Sequence, residues 1–351
     1  MIAKLRYSNL LALLAVAFFL GACFTPKSTL DYQTTYKGFS YEGAHARALV
    51  VTKDVAIVGG KGGYISVFFL DTARENVNNI DVVVGVEDFR DVHYNSKGAC
   101  LFMNSGENGI IQGIAPSGRQ MTVFDTSGVF LDGMAFWGDQ VGMVYGDPVD
   151  GNFFLAKTTD MGRTWNALTP ETLPKALENE AGFAASGTGI QTVGDSTVFF
   201  GTGMGKVARV FSSNDQGNNW VVKETPMRSG NSYGIYSMYF WSETEGMIIG
   251  GSYVDSTYNE NICFLTADAG DSWENKSKGL PGYCSGLHGN SSASLIVATG
   301  RLGTFYTLDK GNSWNLLTNE AYYTCFVSDS HIVLSGRDGK LEFITYTVLV
   351  D

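Results

Sequence analysis

One motif occurs four times in this chain of 351 residues. It reads Thr158-x-Asp160-x-Gly162-x-Thr164-Trp165, then Ser213-x-Asp215-x-Gly217-x-Asn219-Trp220, Thr266-x-Asp268-x-Gly270-x-Ser272-Trp273 and Thr307-x-Asp309-x-Gly311-x-Ser313-Trp314. Asn219 is the one departure from Ser or Thr before the Trp. The residue types suit a tight turn between two strands. An Asp carboxylate accepts hydrogen bonds from turn N–H groups. A Gly takes a positive φ without steric cost. A Trp buries a large apolar surface where the turn meets the sheet. The motif is therefore expected to be a folding staple and not a catalytic site.

Successive Trp residues lie 55, 53 and 41 positions apart, which is the length of one propeller blade. A second register extends the repeat over the chain. Each unit opens with a short strand: Ala46–Val50, Phe89–His93, Leu131–Ala135, Gly182–Ser186, Ile235–Tyr239, Tyr283–Leu287 and Tyr323–Val327. Each then continues into an apolar strand ending in Gly, at Gly59, Gly106, Gly146, Gly201, Gly250, Gly300 and Gly336. Seven units predict an all-β, seven-bladed β-propeller. The last unit has room for only three strands, so residues near Tyr32–Ser40 are expected to supply its fourth and close the ring. The composition agrees: 43 Gly, 13% aromatic and 17% charged residues suit a β protein rich in turns. Thr169–Asn179, starting near Pro170, is the one expected helical turn.

The four motifs resemble the Asp-box, or BNR, repeat of β-propellers. Phe89-Arg90-Asp91-Val92, Gly146-Asp147-Pro148-Val149-Asp150-Gly151 and Glu180-Ala181-Gly182-Phe183-Ala184-Ala185-Ser186-Gly187-Thr188 further resemble bacterial members of the photosystem II stability/assembly factor-like family. The resemblance covers about Ala44 to Gly339. It implies a propeller that binds other proteins and helps to assemble them, with no reaction and no cofactor. The family's photosynthetic members use a basic arginine patch, whereas this chain is acidic overall.

The first residues read as an export signal. Lys4 and Arg6 precede an apolar run, Leu10–Leu20, which is too short to span a membrane stably. Leu20-Gly21-Ala22-Cys23 resembles a bacterial lipobox, in which Cys23 becomes the lipidated first residue. The expected organisation is a signal peptide at 1–22, a lipidated tether at 23–36 and the propeller at 37–351. The expected location is the cell envelope, anchored by lipid alone. The outer membrane is favoured because no acidic residue directly follows Cys23. The net charge of −11 excludes a nucleic-acid partner, which needs a basic face. Cys100, Cys263, Cys284 and Cys325 are too scattered for a disulfide framework, and no C-x-x-C occurs.

In a propeller, the start of the innermost strand and the loop after the second strand meet at one end of the channel. The repeat register gathers His45, Arg47, Lys61, Arg90, Glu107, Asp132, Asp147, Asp150, Glu180, Lys206, Arg301 and Arg337 there. Such a mixed-charge mouth is either a binding site or a solvated polar rim. The expected partner is an envelope protein or protein complex, with a glycan as the alternative. A sialidase is the enzymatic alternative, because it needs several arginines on a carboxylate together with an activated Tyr. The Phe/Tyr-Arg-Ile-Pro segment of sialidases is absent; Phe89-Arg90-Asp91-Val92 lacks the Pro. Gly201-Thr202-Gly203-Met204-Gly205-Lys206 fails as a nucleotide loop, because Val207 stands where Ser or Thr is required. His45, His93, His288 and His331 show no metal-ligand spacing.

Overall fold

The computed structural model describes residues 28–38, 41–70, 78–85, 87–168 and 172–350. Its strands form seven four-stranded antiparallel sheets. Blade 1 holds Ala48–Val51, Val55–Gly59, Tyr64–Phe69 and Asn78–Val83. Blade 2 holds Phe89–Tyr94, Cys100–Asn104, Asn108–Ile114 and Gln120–Ser127. Blade 3 holds Leu131–Trp137, Val141–Val149, Asn152–Thr158 and Asn166–Ala167. Blade 4 holds Ile190–Val193, Thr197–Gly201, Arg209–Ser213 and Val221–Glu224. Blade 5 holds Tyr233–Phe240, Gly246–Ser252, Cys263–Thr266 and Glu274–Asn275. Blade 6 holds Cys284–Gly289, Ile296–Gly300, Gly303–Thr307 and Asn315–Thr318. Blade 7 holds Thr324–Val327, His331–Ser335 and Leu341–Val350, with Ser28–Gly38 as its outermost strand. The innermost strands touch their neighbours in sequence order, and blade 7 touches blade 1. The chain is a seven-bladed β-propeller.

The second strand of each blade explains the apolar runs. It is covered on both faces, so successive side chains enter opposite inter-blade cores. Ile57 packs towards blade 2 while Val58 packs towards blade 7. Phe199 packs against Phe240 of blade 5, and Phe200 lies in the cluster shared with blade 3. Seven such clusters fill the seven interfaces.

Ser28–Gly38 pairs antiparallel with Leu341–Val350, from Ser28 opposite Val350 to Gly38 opposite Leu341. The first and last described strands thus share one blade. The strand begins at Ser28, so residues 28–36 of the expected tether belong to the sheet. Long-range pairing with the last strand decides this and starts the closing strand four residues before the expected Tyr32. The signal peptide and Cys23 lie outside the described residues.

The four repeated turns share one set of hydrogen bonds. Asp160 accepts the Thr164 N–H at 2.9 Å and its hydroxyl at 2.7 Å. Thr158 Oγ1 donates to Asp160 at 2.8 Å and accepts the Gly162 N–H at 3.0 Å. Asp268 and Asp309 repeat the pattern with Ser272 and Ser313. Asn219 fits because its side-chain amide donates to Asp215 at 2.7 Å, as the hydroxyl does elsewhere. The residue before each Gly, namely Met161, Gln216, Ala269 or Lys310, also has a positive φ. Trp165 and Trp314 are buried, whereas Trp220 and Trp273 are only partly so.

One expectation changes. The innermost strand of blade 4 is Ile190–Val193 and not Gly182–Ser186, which has left the sheet to serve the channel. Pro170 lies outside the described residues; in the expected helical turn Thr172 has 3-10 conformation, Lys175 bridges Asn152 and residues 178–179 form a turn.

Candidate functional site

The segment Gly182–Ser186 crosses the propeller axis. It belongs to blade 4 by sequence, yet its carbonyls serve blades 1, 2 and 7. Arg90 Nη1 donates to Ala184 O at 2.8 Å and Arg47 Nη1 to Ala185 O at 3.2 Å. Thr324 Oγ1 donates to Ser186 O at 3.0 Å. Phe183 stacks on Tyr236 of blade 5, with ring centroids 3.8 Å apart. Phe183, Ala185, Tyr236 and Tyr283 form a small axial core of their own.

Two glycines permit this path. A Cβ on Gly182 would lie 2.3 Å from Asp132 Oδ2, and one on Gly187 would lie 2.6 Å from Asp91 Oδ1. Gly187 also has φ +74°, which a side-chain-bearing residue adopts at a cost.

Above the crossing segment lies a cavity of about 540 Å³. Of the charged residues that the repeat register gathers, Arg47, Arg90, Asp132, Arg301 and Arg337 line it. Arg47 precedes the innermost strand of blade 1, Arg90 and Asp132 lie at the start of theirs, and Arg301 and Arg337 follow the second strands of blades 6 and 7. Lys61, Glu107, Asp150 and Lys206 are exposed on loops and do not line it. Asp147 stands behind Asp132 and accepts the Gly182 N–H at 2.9 Å.

Glu180 is not a surface charge at the mouth. Its side chain is buried in an ion pair with Arg209 and accepts the Thr202 hydroxyl at 2.5 Å. It also accepts the Leu177 N–H at 2.8 Å, and so anchors the start of the crossing segment. Register alone placed it at the rim; inside, the Arg209 ion pair and the bonds from Thr202 and Leu177 offset the cost of burying its charge.

The guanidiniums differ in their surroundings. Arg90 pairs with Asp88 at 2.6 Å. Arg301 donates to Tyr253 O at 2.8 Å. Arg337 is largely exposed and 3.5 Å from Asp338. Arg47 lies 3.9 Å above the Tyr323 ring. Burial, and then the like charge of Arg90, push Arg47 below the ordinary arginine range. The Nε atoms of Arg47 and Arg90 are shut off from water without a partner.

Burial pushes the Asp132 carboxyl well above the carboxylate range, and the adjacent, hydrogen-bonded Asp147 raises it further. Burial raises Asp147 too, against the Gly182 N–H that favours its charge. Asp91, beneath Gly187, is pushed up to about 8 by burial, against two backbone N–H bonds from Met134 and Val92.

The tyrosines Tyr236, Tyr253, Tyr283, Tyr322 and Tyr323 complete the lining. The charged-residue survey of the sequence missed them. A signal was there: Tyr283 and Tyr323 directly precede the innermost strands of blades 6 and 7, and Tyr236 lies in the first half of that of blade 5. The Tyr322 hydroxyl is bound to Glu342. Burial raises it far above the ordinary tyrosine range, and that hydrogen bond adds to the shift.

No family model matches the chain, and no curated protein matches it. Solved structures do. The WD40 β-propeller domain of Doa1 aligns with a TM-score of 0.62 at 12% identity, covering 90% of this chain and 97% of that one. A catalytically inactive variant of virginiamycin B lyase from Staphylococcus aureus, solved with quinupristin, aligns with a TM-score of 0.62 at 10% identity, covering 91% and 99%. At such identities the likeness shows the propeller fold and nothing about which chemistry the ring carries.

Proposed function

We propose that this chain is an exported, lipid-anchored propeller that acts as a protein-binding and assembly platform in the cell envelope, without catalysis. The observation that supports it is the mouth itself. Residues from every blade meet around one end of the channel, and arginine and tyrosine dominate them. These are the side chains that carry binding energy at protein interfaces. Arg301 and Arg337, exposed at the rim, are suited to reach a partner, while Arg47 and Arg90 are tied to the crossing segment below.

The anchor rests on Leu20-Gly21-Ala22-Cys23. Two or three acyl chains on Cys23 would bury enough CH₂ groups to hold the protein on a membrane. Cys23→Ala should shift it from the membrane fraction to soluble or unprocessed material. A processed variant of mature size that still sediments with membranes would contradict the anchor.

The platform is tested by capture from detergent-solubilised envelope, with wild type and the Arg337→Ala and Arg301→Ala variants as bait. Recovery of one defined set of partners, reduced in the variants, supports it. A glycoside panel addresses the sialidase alternative: sugar released by wild type and lost in the arginine variants would replace the platform with an enzyme.

A further inference from the structure

The cavity carries a cation that forms no ion pair among the described residues; the nearby carboxylate, Asp88, is paired with Arg90. Among the described residues Arg47 has no ion pair; its bonds are one carbonyl, Ala185 O, and the Tyr323 face. Its neighbour Arg90 has Asp88, 2.6 Å away. The carboxyl that does line the cavity, Asp132, makes no ion pair with Arg47, and burial favours its neutral form. Buried donors are normally partnered, and a withdrawn charge without a counter-charge is costly. Four arginines lining one cavity are also out of keeping with a net charge of −11.

We propose that the axial cavity binds a small ring compound bearing a carboxylate, with Arg47 as the principal counter-ion and Tyr236, Tyr283 and Tyr323 as walls against its ring. The volume of about 540 Å³ lies within the roughly 300–1,000 Å³ of small-molecule sites. The crossing segment Gly182–Ser186 floors the cavity, so the site accepts a compact ligand and not a threaded chain. A guanidinium matches a carboxylate in bidentate geometry. A carboxylate fits because Arg47 and Arg301 line the cavity without an ion pair among the described residues, each bonded to a carbonyl. Tyr236 and Tyr283 stand edge to face at 4.8 Å, a rigid corner for a flat or puckered ring. This site is separate from the platform reading: it lies inside the mouth and holds whether or not a protein docks on the rim.

The test is calorimetric titration of the purified protein with glucuronate, N-acetylneuraminate and benzoate, against glucose, acetate and inorganic phosphate. At least one of the three ring carboxylates should bind, with glucose and acetate far weaker, and affinity should fall as salt rises. Arg47→Gln should weaken binding by about tenfold or more, as expected for a lost charge-assisted pair. Should Arg47→Gln fail to fold by circular dichroism, the exposed Arg301→Ala decides, with a smaller loss expected. The proposal is overturned if none of the three ring carboxylates binds, if phosphate or glucose binds as tightly as they do, or if the folded variant keeps wild-type affinity. Partner capture is measured in parallel on the same variants. For the wild type, no partner recovered while a ring carboxylate binds tells against the platform alone, and partners recovered while no ring carboxylate binds tells against this site alone.

Discussion

The Arg47 guanidinium lies 3.9 Å above the ring of Tyr323, so the entry to blade 1 grips the start of blade 7. The Tyr323 hydroxyl meets His45 Nδ1 at 2.8 Å on the same side, and Ser335 Oγ donates to Ala46 O at 3.0 Å. The ring is thus fastened at its centre by side chains as well as at its outer edge by Ser28–Gly38.

Tyr323→Phe keeps the ring under Arg47 and loses only the His45 contact, whereas Tyr323→Leu loses both. Phe should cost about 0.5–1.5 kcal/mol, the net worth of a hydrogen bond. Leu should cost a further 0.5–2 kcal/mol or so for the cation–π contact. Urea denaturation checks this, and equal midpoints for the two variants would remove the cation–π contribution.

Burial orders the four tryptophans. Trp165→Ala should cost about 3–5 kcal/mol, in line with large-to-small core changes. Trp220→Ala and Trp273→Ala should cost less, because both keep part of their surface in water. A Trp273 variant as unstable as the Trp165 one would show that burial does not set the order.

The repeated aspartates set the acid limit. The Ser272 hydroxyl and N–H hold Asp268 down to about 2. Asp215 also falls to about 2: some burial pushes it up, and the bonds from Asn219, Ser213 and Asn218 outweigh that. A folded value below the unfolded carboxylate value of about 4 means stability is fully present above pH 4 and lost as pH falls towards 2. The Asp215→Asn/Asp268→Asn protein should be less stable at pH 6 and show a shallower decline between pH 4 and 2. Denaturation midpoints at pH 6, 4, 3 and 2 measure it, and parallel curves would refute the assignment.

Glycines separate strain from contact. Gly118 has φ +81° with open space around it, so Gly118→Ala should cost about 1–2 kcal/mol from its left-handed backbone alone. A Cβ on Gly203 would lie 2.5 Å from Gly234 Cα and 2.7 Å from the Phe183 ring. Gly203→Ala should therefore destabilise more and displace Phe183, which near-ultraviolet circular dichroism of the stacked Phe183 and Tyr236 rings would report.

Removing residues before Tyr41 should open the ring. The variant leaves Leu341–Val350 with an unpaired edge, a template for aggregation. Lower solubility and an earlier thermal transition are expected; an unchanged transition would show that the seventh blade closes without its outer strand.

The sequence by itself determined the ring. Blade count, the apolar second strands and the four turns follow from short-range rules that each repeat obeys again: strand alternation, a positive-φ Gly and an Asp within reach of its own turn N–H groups. Closure by the N-terminal strand was legible because the last unit is one strand short. Only the tertiary structure decided the channel. Gly182–Ser186 looks like a strand to any local rule, and its departure across the axis is fixed by Arg47, Arg90 and Thr324, which come from three other blades. In the same way Glu180 turned inwards to Arg209, and the tyrosines of blades 5 to 7 met the arginines of blades 1, 2, 6 and 7. Register tells which end of a blade a residue occupies. Which residues from different blades touch depends on the closure of the whole ring.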